Sequence, residues 1–162
     1  EIVMLQFHSW PDTAYGETWK SPHLRLGLVR DKWLITSMAD TRQVTPQKLR
    51  TTDTRYEEKK EIDGGYVRFG VWETWVFKVR FSPSSDGHLE IIRNGRAVTS
   101  WSGRNAFNDE QGPFIKLGVY VPDRRTDSGE STLIDAERIF LGIKALSVSQ
   151  TGWNAAPDYQ IR

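Results

Sequence analysis

The chain has 162 residues, 38% of them hydrophobic and 12% aromatic, with 22 basic and 21 acidic side chains giving a net charge of +1. That length fits one domain with a single substantial core, and that composition is far from a disordered chain. The charge balance offers no global field for nucleic acid or an anionic membrane, no apolar run is long enough to cross a bilayer as a helix, and zero cysteines exclude disulfides, a thiolate nucleophile and cysteine-ligated zinc.

The dominant period is two. In residues 1–8, Val3, Leu5 and Phe7 alternate with Met4, Gln6 and His8, so one face of a strand enters a core while the other lines an open surface. A strand at the very start of a sequence reads as one in a series, and further strands are expected upstream. Residues 9–22 form a polar loop with Pro and Gly. In residues 23–29, Leu24, Leu26 and Leu28 oppose His23, Arg25 and Gly27; an Arg30-Asp31 turn then leads into a strand over residues 32–37, completing a hairpin.

Residues 39–63 are charged and poor in apolar side chains, and read as a solvated loop or an edge hairpin ended by a turn at Gly64-Gly65. Residues 71–81 read as a strand with Trp75, Phe77, Val79 and Phe81 on one face and solvent-facing Lys78 and Arg80 on the other. Turns at Asp86-Gly87 and Asn94-Gly95 flank a strand over residues 88–93. A long polar loop over residues 101–113 feeds residues 114–121, where Ile115, Leu117, Val119 and Val121 alternate with Lys116, Gly118 and Tyr120. Residues 123–131 are again a polar loop, and residues 137–148 return to strand. These elements predict an all-β fold, a concanavalin-like jelly roll or sandwich of two antiparallel sheets, organised as one domain over residues 1–162. Its broad concave face suits an extended polymer.

The candidate chemistry narrows by elimination. Sugar hydrolysis wants two carboxylates flanking the bond; the nearest arrangement, Asp135 and Glu137, has same-face spacing but no third acid nearby. No G-x-S-x-G nucleophile elbow occurs, and three widely separated histidines argue against a metal site. β-Elimination across a uronic acid asks for different groups. A base takes the proton beside the carboxylate, a donor neutralises that carboxylate, and an acid protonates the departing oxygen, which suits His, Tyr, Gln, Lys and Arg. Along a strand Gln6 and His8 stand about 7 Å apart and Lys116 and Tyr120 about 13 Å apart, so the first pair reaches one sugar and the second serves neighbouring subsites. The ordinary imidazole pKa of about 6.5 suits His8 to a base near neutrality.

Five motifs occur in order: Q-x-H (Gln6, His8), S-P-x-L-x-L (Ser21, Pro22, Leu24, Leu26), W-x-x-W-V-x-K-V from Trp72 to Val79, D-G-x-L-E-x-x-x-N-G from Asp86 to Gly95, and K-x-G-x-Y (Lys116, Gly118, Tyr120). In that order they resemble the heparin lyase I-like polysaccharide lyases, to which glucuronan and alginate lyases of the same jelly roll look similar. The resemblance implies a jelly roll that eliminates across uronate chains, with the Q-x-H and K-x-G-x-Y strands lining the cleft. It implies His8 as a base, Tyr120 as acid or combined acid and base, Gln6 on the substrate carboxylate and Lys116 on a carboxylate or sulfate. In that family further strands carrying anion-binding groups precede the Q-x-H strand and are expected upstream of residue 1; a divalent cation is the other candidate for carboxylate neutraliser.

Duller readings stand beside these. His8 is otherwise an ordinary strand histidine, Tyr120 and most of the seven tryptophans are core packing, and His88 lies inert beside a turn. Trp72 and Trp101 are available to stack on sugars. Arg25 and His23 join the candidate anion binders because their strand follows that of His8 and is expected to pair with it. The expected partner is an acidic polysaccharide rather than nucleic acid or a membrane, met by a secreted or periplasmic monomer. The alternative is a noncatalytic lectin-like sandwich using the same concave face, and the lesser one a glycoside hydrolase resting on Asp135 and Glu137.

Overall fold

Alternating apolar and polar residues bury one face of each strand, and two sheets meeting on those faces satisfy all of them at once. The computed structural model describes residues 1–45 and 56–121 of the chain. In chain order the strands are β1 (Ile2–His8), β2 (Leu24–Val29), β3 (Lys32–Ala39), β4 (Glu58–Tyr66), β5 (Trp75–Arg80), β6 (His88–Arg93), β7 (Arg96–Ser102) and β8 (Phe114–Tyr120), with one 3-10 turn at Thr13–Tyr15. They form a five-stranded sheet in the order β4-β3-β2-β1-β8 and a three-stranded sheet β5-β6-β7, both antiparallel and packed as a sandwich.

Leu24, Leu26 and Ile35 of the larger sheet meet Leu89 and Ile91 of the smaller, and Leu5, Phe7, Trp33, Trp75 and Phe77 pack around them. Cross-strand partners share a face, and the register Leu5↔Leu26↔Ile35↔Ile62 runs an apolar row across the larger sheet. The Arg30-Asp31 and Asn94-Gly95 turns lie where the sequence puts them, and Lys78 and Arg80 pair with Glu90 at 3.1 Å and Asp86 at 2.6 Å at the outer face of β5.

Two expectations change and a third narrows. Of the two readings of residues 39–63, solvated loop or edge hairpin, the last part takes the edge position as strand β4, where the ion pairs Lys59–Glu61 and Lys60–Glu58 ride on the backbone. Charge on a sheet edge blocks further pairing, which is why so polar a segment is a strand. Gly64-Gly65 is not a turn between elements but a register shift inside β4: a Cβ on Gly64 would lie 2.8 Å from that of Trp33, and Gly65 has φ +84°. Finally, Ile115, Leu117 and Val119 of edge strand β8 are 36%, 40% and 44% exposed among the described residues, rather than core. The predicted elements at residues 123–131 and 137–148 lie outside the described residues.

A smaller apolar cluster of Met38, Tyr56 and Phe107 covers one end of the larger sheet, away from the sandwich core. The segment carrying Phe107 is fixed by Asn105, which is 1% exposed. Its Oδ1 accepts from the Ser82 amide at 2.8 Å, and its Nδ2 donates to the carbonyls of Arg80 at 3.0 Å and His88 at 3.1 Å. One side chain thereby completes the backbone hydrogen bonding of both arms of the β5–β6 hairpin where they meet its connecting loop. Replacing Asn105 by Ala strands these buried groups and is expected to destabilise the protein by on the order of 3 kcal/mol in urea unfolding; a change below about 0.5 kcal/mol would contradict this role.

Candidate active site

Antiparallel pairing of β1 with β8 sets Gln6 opposite Lys116 and His8 opposite Phe114, while pairing with β2 sets Gln6 opposite Arg25. The register continues through Thr36 and Glu61, giving a transverse row Lys116, Gln6, Arg25, Thr36, Glu61 on the face of the larger sheet that does not pack on the smaller. Neighbouring strands lie about 4.8 Å apart, so Lys116 and Arg25 flank Gln6 within about 10 Å of each other. The Q-x-H and K-x-G-x-Y segments therefore form one local surface. Gln6 is 9% exposed, and Arg25 is half-buried in an ion pair with Glu1 at 3.2 Å.

His8 is 6% exposed and enclosed by aromatic rings. Phe114 stacks on it at 5.7 Å between ring centroids, and Trp19 meets it edge-on at 5.3 Å. Its Nδ1 lies 2.9 Å from the Ser9 carbonyl oxygen. A carbonyl only accepts, so Nδ1 carries the proton and Nε2 is the basic nitrogen of the neutral ring. The Lys116 ammonium stands 5.2 Å over Phe114 and 5.4 Å over Trp19, so cation and imidazole share the same two aromatic neighbours. Burial lowers the His8 pKa below its ordinary value; the backbone carbonyls of Ser9 and Lys20 oppose this, and the Lys116 and Lys20 charges add to it. His8 is thus held as a neutral base beside a fixed cation.

Tyr120 pairs with Val3, five steps along β1 from His8, or about 16 Å at strand rise. It is 54% exposed. A register shift falls between Val3 and Leu5, and Gly118 has φ +149°; through Val3 and its partner Gly27, two residues from Arg25 on β2, Tyr120 lies on the same face as Lys116. Tyr120 and His8 make no direct contact; only a bound molecule would bridge them.

The pairing of the His23 strand with β1 is as expected, but the position of His23 as an anion binder is corrected. It is 1% exposed, edge-on to Phe81 at 4.7 Å and to Phe107 at 5.7 Å, and neither ring nitrogen has a hydrogen-bond partner among the described residues. Burial pushes its pKa down to about 3, with the nearby His8 and Lys20 charges acting in the same direction. A side chain this enclosed packs the sheet end and does not meet a polymer. Asp135 and Glu137 lie outside the described residues. Among the described residues no group of three or more His, Asp or Glu side chains is placed to hold a metal ion, so the divalent cation has no ligand set there.

Sequence reasoning passed over the segment between β1 and β2, which supplies Trp10, Trp19 and Lys20. The Lys20 side chain is 3% exposed and sits between Glu17 and Asp109, with its ammonium 5.0 Å over Phe107. Burial pushes Glu17 up, but Lys20 and the amides of Asp12 and Thr45 outweigh it and hold the carboxyl below its usual range. At Asp109 burial wins and the pKa is raised. The signal that was available is two tryptophans in an otherwise polar loop directly after Q-x-H.

A family model described as polysaccharide lyase matches residues 1–138. No curated protein and no solved structure matches the chain.

His23 makes stability pH-dependent with a definite sign. Its folded pKa is depressed from 6.5 to about 3, so below 6.5 the unfolded chain binds the proton and the folded one does not, and stability is lost as pH falls. Between pH 6.5 and 4.5 wild type is expected to lose on the order of 3 kcal/mol more than His23→Leu, measured by urea unfolding at each pH. Parallel pH profiles for the two proteins would contradict the assignment.

Proposed function

The chain belongs to the polysaccharide lyase family, and from that premise we propose that it cleaves a uronic-acid-containing glycan by β-elimination at the junction of β1 and β8. Within the family the motif order supports the heparin lyase I-like group. The observation that carries the reading is the Lys116 ammonium beside a His8 ring kept neutral by burial and by that same charge. Elimination needs that pairing: a cation and an amide to draw charge onto the substrate carboxylate, and a free base next to them.

In this reading Lys116 and Gln6 bind the carboxylate, with Arg25 alongside, and their positive charge acidifies the adjacent carbon–hydrogen bond. Nε2 of His8 takes that proton. The released electron pair forms the carbon–carbon double bond, the glycosidic carbon–oxygen bond breaks, and the leaving oxygen takes a proton from the Tyr120 hydroxyl. Proton and leaving oxygen sit on adjacent carbons of one sugar, so this reading requires the His8 and Tyr120 side chains to converge on that sugar when the polymer binds. Acidic polysaccharides of this kind lie outside cells, which supports a secreted or periplasmic place of action, and the reading requires only a monomer.

A second reading, a noncatalytic carbohydrate-binding sandwich, draws on one observation: His8 is enclosed and about 16 Å from Tyr120 along the sheet. The two part on turnover. Mixed with heparin, glucuronan and alginate in turn, the protein is expected to raise ultraviolet absorbance with at least one polymer as unsaturated uronate forms. His8→Ala and Tyr120→Phe should each lower that rate by about 10²-fold or more while leaving affinity within a few-fold. Tight binding with no absorbance change for any of the three polymers would transfer the assignment to the second reading.

A further inference from the structure

The loop between β1 and β2 presents two large aromatic side chains that the proposed chemistry does not use. Trp10 is 47% and Trp19 52% exposed, although each is in contact with other rings. Their ring centroids are 5.3 Å apart, and Trp10 also lies 4.9 Å from Phe114. Enclosing His8 takes Phe114 and one edge of Trp19; it does not require half of each indole to face solvent. Contiguous exposed aromatic surface of this sort is unfavourable in water unless something covers it.

The loop is also held more rigidly than a packing role demands. Lys20 is buried between Glu17 and Asp109, Glu17 accepts the amides of Asp12 at 2.9 Å and Thr45 at 2.8 Å, and Asp12 accepts the amide of Glu110 at 3.1 Å. These bonds fasten both ends of the Trp10–Trp19 segment to the chain before β8. Side chains held in place before binding lose little conformational freedom on binding, which is what a recognition surface gains from such fastening.

The geometry points to Trp10 and Trp19 as a sugar-stacking subsite, next to His8 and Lys116, that takes the carbon–hydrogen face of a pyranose in an acidic glycan. A pyranose presents polarised C–H groups on its flat face, and an indole presents the electron-rich surface that accepts them. The Lys116 ammonium at the edge of the same cluster supplies the complementary charge for a carboxylate on that ring or its neighbour. The pair fixes one sugar by its face, Lys116 fixes its charge, and the chain is thereby aligned along β1. This inference rests on the preceding reading that the substrate is an acidic glycan.

The test is affinity electrophoresis and fluorescence titration of the full chain with heparin, glucuronan and alginate, alongside the absorbance assay. Trp10→Ala and Trp19→Ala should each weaken binding to the bound polymer by roughly threefold to tenfold, and the double variant by more. Trp19→Phe, which keeps a ring, should restore most of the loss. Phe69→Ala, at an exposed ring on the β4–β5 connection, should bind as wild type does. As a readout that needs no loss of side chain at the subsite, polymer should protect tryptophan fluorescence from acrylamide in a Trp72→Phe background.

Unchanged affinity in a natively folded Trp10→Ala/Trp19→Ala variant, absent protection, or no binding of wild type to any of the three polymers would each overturn the subsite. Tryptophan-dependent binding with no absorbance change would sustain the subsite and overturn only the elimination chemistry. Elimination whose KM ignores both tryptophans would do the reverse.

Discussion

The pairing of β1 with β8 is the constraint on which the site depends. Gln6 and Lys116 are far apart in sequence, and neither has a function-bearing neighbour in its own segment beyond His8 and Tyr120. The ladder makes them cross-strand partners and puts Phe114 against His8. Everything proposed about charge follows from that register: slipped by one residue, Lys116 would turn to the sandwich side and His8 would lose both its stacking partner and its cation.

Enclosure then does electrostatic work. A histidine in water gives up half its proton near pH 6.5, whereas a histidine between Phe114 and Trp19 is kept neutral by its lack of solvation, and the Lys116 charge pushes the same way. The same low-polarity surroundings strengthen the attraction between Lys116 and a carboxylate brought beside it. Buried Lys20 acts at one remove: pinned by Glu17 and Asp109, it fixes the loop that carries Trp19 and so the edge that closes over His8. His23 experiences the same environment to a greater degree, and with both nitrogens unpartnered among the described residues it became packing instead of chemistry.

The strands that bury one face were legible because period-two alternation reports burial directly: β1, β2, β3, β5 and β6 all show it. What alternation does not report is an edge. The charged β4 stretch stayed open between solvated loop and edge hairpin because its side chains do not alternate in polarity, yet it is held by backbone bonds to β3, and β8 was credited with a buried face that an edge strand does not have among the described residues. Register shifts are likewise invisible to a pattern that assumes none, which is why the irregularity between Val3 and Leu5 that sets Val3 opposite Tyr120 was not legible. At the site, Gln6, His8 and Lys116 were legible as reactive side chains on the face away from the sandwich core, although Gln6 and His8 are buried there rather than open to solvent. Trp10, Trp19 and Lys20 were not, because their positions come from a loop whose course is set by buried ion pairs between residues distant in sequence. Three of the five motifs proved to be chiefly architectural: Leu24 and Leu26, Trp75 and Lys78, and the Asp86–Gly95 hairpin all serve the core or its turns.

The measurement that bears most directly on this account is the acid limb of the pH–rate profile for elimination, compared between wild type and Lys116→Met. If a neutral His8 beside Lys116 is the base, the wild-type rate rises through an apparent pKa below 6.5, and removing the like charge moves that limb to higher pH along with any loss of rate. A limb that stays in place when Lys116 is replaced, or a rate that falls as pH rises through this range, would contradict it.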